Sequence, residues 1–105
     1  MYYRVTARLR TETGVDFLRN LTDGTIESQS PDGRKIVDAI NRAVLTDDGN
    51  VLWSEVCYYL TRLAHERATV FDKHLEALET DVVEGYHSYD GRRFMEYVVE
   101  FVEAK

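Results

Sequence analysis

Four Asp-Gly pairs, beginning at Asp23, Asp32, Asp48 and Asp90, punctuate a chain of 105 residues and constrain its fold more than any other feature. Glycine accepts positive φ at little cost, and aspartate bonds the backbone of a turn, so each pair marks a reversal of the chain. Regular elements must fit between these points.

The segment before the first pair alternates. Tyr3, Val5, Ala7 and Leu9 fall on one side, and Tyr2, Arg4, Thr6, Arg8 and Arg10 on the other, the pattern of a half-buried strand. Thr13 followed by Asp16 resembles a capping box and opens a short helix carrying Val15, Leu18 and Leu21. Ser30-Pro31-Asp32-Gly33 fits either a hairpin turn or a helix start with Ser30 as N-cap and Pro31 in the first position. Ile36, Val37, Ile40, Ala43 and Val44 recur at helical spacing, whereas a strand would set Asp38 and Arg42 beside Ile36 and Ile40. The spacing therefore predicts a helix over 31–41, passing into a strand over 42–46.

Asp47-Asp48-Gly49-Asn50 then predicts a tight hairpin into a strand over 51–60. Residues 62–79 read as the longest helix, with Leu63, Val70, Phe71, Leu75 and Leu78 on its apolar stripe. A strand over 80–89, a hairpin at Asp90-Gly91 and a fifth strand over 93–102 complete the chain. Phe94, Val98, Phe101 and Val102 also fit a helix, but the Asp-Gly signal favours the strand.

This order predicts one α+β domain over 1–105, with a single antiparallel sheet and helices on one face. It resembles the ferredoxin-like β-α-β-β-α-β layout with an extra C-terminal strand. The resemblance is one of topology and carries no function. The strand from Val51 and the last strand read as apolar on both sides, and all seven tyrosines fall in expected strands. An uncovered apolar, tyrosine-rich sheet face predicts a homodimer packed through it.

Charge narrows the choice of partner. The net charge of −6 opposes binding to polyanions and to anionic membrane surfaces. An RNA-recognition sheet would stack bases on aromatics of its central strand; Trp53 and Tyr59 suit that role, but Glu55 between them repels phosphate. We therefore expect no nucleic-acid partner. No apolar run approaches the roughly twenty residues of a membrane span, and no N-terminal stretch reads as a signal peptide. A lone cysteine, Cys57, forms no internal disulfide. These features predict a cytoplasmic protein without membrane association.

The longest helix carries the candidate chemistry. Arg67 and His74, seven residues apart, fall inside its apolar stripe, where a cation needs a partner. Glu55 or Glu84 is the expected partner of Arg67, and His87 that of His74. The bland reading is a buried ion pair beside a core histidine; the functional one is an anion site in which Arg67 orients a carboxylate and His74 or Glu55 moves a proton. His65-Glu66 matches the start of a zinc-binding helix motif, but Thr69 stands where the second histidine belongs, and no other closely spaced Cys/His set exists. We expect no metal and no cofactor. The sequence thus predicts a small homodimeric binding module for a protein partner or small ligand, with Trp53, Tyr59 and Arg67 contacting it. The alternative is a cofactor-free enzyme of the dimeric α+β barrel type, whose candidate acid-base residues Glu55, Arg67, His74 and His87, with Tyr59, converge on one cavity.

Overall fold

The structure, a computed structural model, describes residues 1–56 and 63–105. Strand β1 (Tyr2–Leu9) leads through a 3-10 turn into α1 (Gly14–Thr22). After an irregular stretch come α2 (Gly33–Arg42), β2 (Val44–Leu45) and β3 (Val51–Val56). Helix α3 has three parts: Ala64–Glu66, a π turn over Arg67–Phe71, and Asp72–His74. It is followed by β4 (Leu75–Val83), β5 (Arg92–Arg93) and α4 (Phe94–Glu103).

The five strands form one antiparallel sheet in the order β4-β1-β3-β2-β5. The alternation of β1 is realised: Tyr3, Val5, Ala7 and Leu9 are buried on its inner side. The register sets Tyr3 opposite Glu55, Val5 opposite Trp53 and Ala7 opposite Val51. All four helices join this inner face in one core, through Phe17, Ile36, Ile40, Phe71, Phe94 and Val98. Burying each such side chain is worth about 1.5–3 kcal/mol. The β2–β3 hairpin forms as expected, with Gly49 at φ +85° and Thr46 bonded back to Asn50.

Four expectations need correction. The last segment is a helix rather than a long fifth strand; only Arg92 and Arg93 pair, with Leu45 and Val44 of β2. Phe94 and Val98 bury one face of α4, and Tyr97 and Phe101 pack beside them. Asp90-Gly91 joins no hairpin, because β4 and β5 lie on opposite edges of the sheet. The longest helix stops at His74, and Leu75 already pairs with Leu9 in β4. The seven tyrosines are not all in strands: Tyr86 and Tyr89 lie in the segment between β4 and β5, Tyr97 is in α4, and Tyr58 and Tyr59 fall outside the described residues.

The outer face of the sheet is also not the apolar surface expected. Arg4, Thr6 and Arg8 occupy it on β1, facing Ser54 and Leu52 on one side and Asp81, Glu79 and Glu76 on the other. Arg4 Nη2 pairs with Asp81 Oδ2 at 2.9 Å. Ser54 is buried there and accepts a hydrogen bond from the His87 backbone N–H at 3.2 Å. Among the described residues no helix is long and apolar enough to cross a membrane.

Candidate functional site

Three carboxylates are buried at one end of the helical layer: Asp32 before α2, Glu55 on β3 and Glu66 on α3. Each reaches that place by ordinary local structure. Glu55 shares the inner phase of β3 with Val51 and Trp53. Glu66 lies one helical turn from both Leu63 and Val70, so it belongs to the buried stripe of α3. Asp32 occupies the N-cap of α2, yet its side chain makes no capping bond; Oδ2 instead meets His65 Nδ1 at 2.6 Å. Gly33 allows the close approach behind it, since a Cβ there would lie 2.1 Å from the Ile26 carbonyl oxygen.

The burial of these acids is poorly compensated. Glu55 and Glu66 are each 1% exposed, and among the described residues neither Glu55 oxygen nor Glu66 Oε2 has a hydrogen-bond partner. Lys35 is the nearby cation, with Nζ 3.6 Å from Glu66 Oε2. Burial pushes the Glu55 carboxyl up to about 8, against the opposing pull of Lys35 and with added repulsion from Glu66. The Trp53 indole lies near enough to favour the carboxylate, but its Nε1 makes no hydrogen bond with it. At neutral pH Glu55 is therefore mostly a neutral acid.

A pocket of about 440 Å³ opens beside Glu55, bordered by Lys35, Asp38, Arg42, Val56 and Tyr86. The Arg42 guanidinium stacks over the Tyr86 ring at 5.0 Å from its centre, which holds a planar donor at the rim. Burial raises the Tyr86 phenol, so it too stays a neutral donor. Arg42 and Tyr86 also border an adjoining cavity of about 450 Å³, where Trp53 and His87 are found. We centre the site on the first pocket because it contains the unpartnered acid.

The candidates drawn from the sequence do not converge as a set. Arg67 does not enter the core or pair with Glu55 or Glu84; its Nε bonds Asp72 Oδ1 at 3.0 Å on the exposed side of α3. His74 is buried, stacked on Phe17 with ring centres 4.5 Å apart, and its Nδ1 meets Thr13 Oγ1 at 3.0 Å. Thr13 thus makes no side-chain cap on α1. Burial lowers the His74 pKa, which keeps the ring neutral. His74 does not meet His87, whose ring neighbours Tyr89. Tyr59 and Cys57 lie outside the described residues. Only Glu55, Trp53 and His87 remain, around two adjoining cavities.

Sequence reasoning missed Asp32, Lys35, Arg42, Glu66 and Tyr86. Glu66 did carry a signal, since it stands in helical phase with Leu63 and Val70. Asp32 carried none, because its contact with His65 spans 33 residues of sequence.

The chain matches no protein-family model, no curated protein and no solved structure. Function must therefore be argued from the site alone.

Proposed function

We infer that this protein is a small-ligand-binding module that takes an anionic small molecule into the pocket beside Glu55. The observation that carries the reading is a buried, unpartnered acid that shares a pocket with Lys35, Arg42 and Tyr86. A protonated Glu55 offers an O–H donor, Lys35 and Arg42 offer positive charge, and the Tyr86 phenol offers a second neutral donor. Such a set suits a carboxylate or phosphate group, which would compete with Glu66 for Lys35 and lie on the side of the pocket away from Asp38.

Titrating the full chain with acetate, succinate and inorganic phosphate, while following amide chemical shifts, tests this. Shifts should centre on α2, the end of β3 and Tyr86. Arg42→Ala should weaken binding by roughly ten- to hundredfold, the worth of a charge-assisted hydrogen bond. No response to any of the three anions, or an undiminished response when Arg42→Ala and Lys35→Met are combined, overturns the reading.

A second reading, an acid-base enzyme, rests on Glu55. A carboxylic acid that keeps its proton near neutral pH and lines a pocket is the state a general acid needs. Arg67 and His74 have no part in that reading, being bonded elsewhere.

We also read the architecture as ferredoxin-like. In its support, β3 lies between β1 and β2, and β1 lies between β3 and β4, as two split β-α-β units require. The first crossover carries two helices, and β5 extends the edge beyond β2. The homodimer expected from an apolar sheet face has lost that basis. The exposed side of α4 around Met95 and Val99 offers an apolar alternative, and sedimentation equilibrium decides whether a dimer forms.

A further inference from the structure

Beside the pocket, and independent of whether an anion binds in it, one potential ligand atom from each of Asp32, His65 and Glu66 lies within 4.8 Å of the other two. We propose that these three residues bind a divalent first-row transition-metal ion, with zinc as the reference ion.

The distances come close to what an ion needs. Zinc bound by nitrogen and oxygen at about 2.0–2.1 Å in a tetrahedron sets its donors roughly 3.3–3.4 Å apart. His65 and Asp32, at 2.6 Å between Nδ1 and Oδ2, must open by roughly 0.7 Å, and no pair has to close by more than about 1.5 Å. One imidazole with two carboxylates is a donor set for zinc, manganese or iron rather than for calcium or magnesium, which take oxygen alone. Three protein donors leave a fourth position for water or a ligand, the count found in catalytic rather than structural zinc sites.

The cluster is more than a group of acids at a surface. Glu66 is 1% exposed and, among the described residues, its Oε2 accepts no hydrogen bond and has only the Lys35 ammonium beside it, so its buried carboxylate, one oxygen of which lies within reach of the other two ligand atoms, is poorly satisfied. The Asp32 side chain has left the cap of its own helix to meet the imidazole. The ammonium of Lys35, the cation paired with Glu66 among the described residues, is 3.6 Å away, and that residue is partly open to solvent. A metal ion would replace it as the counter-charge of Glu66 and release the ammonium towards the anion pocket that Lys35 also borders. The π turn begins at the residue after Glu66, and such turns recur at functional sites.

The test is calorimetric titration of the full chain with Zn²⁺ alone, with Co²⁺ absorption spectra to report the donor set. One ion per chain is expected, with a nitrogen-oxygen Co²⁺ spectrum and a raised unfolding temperature. His65→Ala, at a side chain 44% exposed, should fold normally and lose more affinity than the roughly 10–100-fold that removal of an outer-shell partner costs. Asp32→Asn should lose affinity likewise, and His87→Ala should retain it. No Zn²⁺ binding by the wild-type chain, unchanged affinity in His65→Ala, or loss in His87→Ala instead would each overturn the proposal. Failure of the anion titration with Zn²⁺ binding intact would refute the pocket reading and leave this one standing.

Discussion

Glu55→Gln should make the protein more stable at neutral pH while changing almost no atom in the core. The carboxyl of Glu55 is raised from 4.5 to about 8 by burial. A group whose folded pKa lies above its unfolded value holds its proton more tightly in the native state. Its contribution is fully present below pH 4.5 and is lost as pH rises through about 8. At about 1.4 kcal/mol per pH unit, that window amounts to about 5 kcal/mol. At pH 7 about 3 kcal/mol of it has gone. Glutamine keeps the shape and never ionises, so the variant should gain up to about 3 kcal/mol at pH 7 and nothing near pH 4. A domain of this size has only about 5–15 kcal/mol in total, so the gain is easily read.

Urea unfolding of both proteins at intervals from pH 4 to pH 8, with a chelator present, supplies the measurement. The difference curve matters more than either curve alone. His74, whose pKa burial lowers, acts with the opposite sign: its contribution is lost as pH falls from 6.5 through its lowered value. That effect is common to both proteins and cancels in the difference. The expected difference grows steadily with pH between about 5 and 8. Parallel curves over that range would mean that Glu55 ionises as freely as in water, and the argument from its burial would be refuted.

Two further substitutions separate structural contacts from the site. Gly33→Ala should destabilise by about 3 kcal/mol or more, because the added Cβ meets backbone carbonyls of Ile26 and Glu27 that cannot yield as a side-chain end would; thermal unfolding reads it. Arg67→Met should change stability by no more than about 0.5 kcal/mol, since its pair with Asp72 is solvent-exposed; a loss of several kcal/mol in urea unfolding would restore the buried ion pair that the sequence suggested.

Where the sequence misled, local geometry had changed the period. In β4, Leu75 faces Leu9, but a bulge with Ala77 at φ +53° shifts the phase, so Thr80 and Val82 then face Val5 and Tyr3. The positions opposite the inward residues of β1 pass from odd to even numbers, and the step from Leu75 to Leu78 imitates one turn of a helix. In α3 the π turn alters the rotation per residue, so phases counted at a constant 100° fail across Arg67–Phe71. Arg67 consequently leaves the stripe in which the count placed it. The Asp90-Gly91 signal failed for another reason. A hairpin rule sees only neighbours in sequence, while the pairing of β5 with β2 was decided across the sheet. The β1 alternation and the β2–β3 hairpin were legible because both are regular and local.

The contrast between surface and buried charge bears most directly on function. On the surface, Arg4 with Asp81, Arg19 with Asp16 and Arg67 with Asp72 are paired at 2.8–3.0 Å. Inside, among the described residues, both Glu55 oxygens and Glu66 Oε2 lack hydrogen bonds, and the Lys35 ammonium stands 3.6 Å from the latter. A fold seeking only stability would put apolar side chains at both positions, since a buried polar group without hydrogen bonds is costly whether neutral, as at Glu55, or charged. Their cost is carried by the rest of the core, and such local inconsistency is expected where a site binds something. Stability and binding should then move in opposite directions at Glu55. A Glu55→Gln chain that is more stable yet responds less to anions would tie the buried acid to ligand recognition. One that is more stable and binds as before would leave Glu55 with no part in it, and the pocket reading would then rest on Lys35 and Arg42 alone.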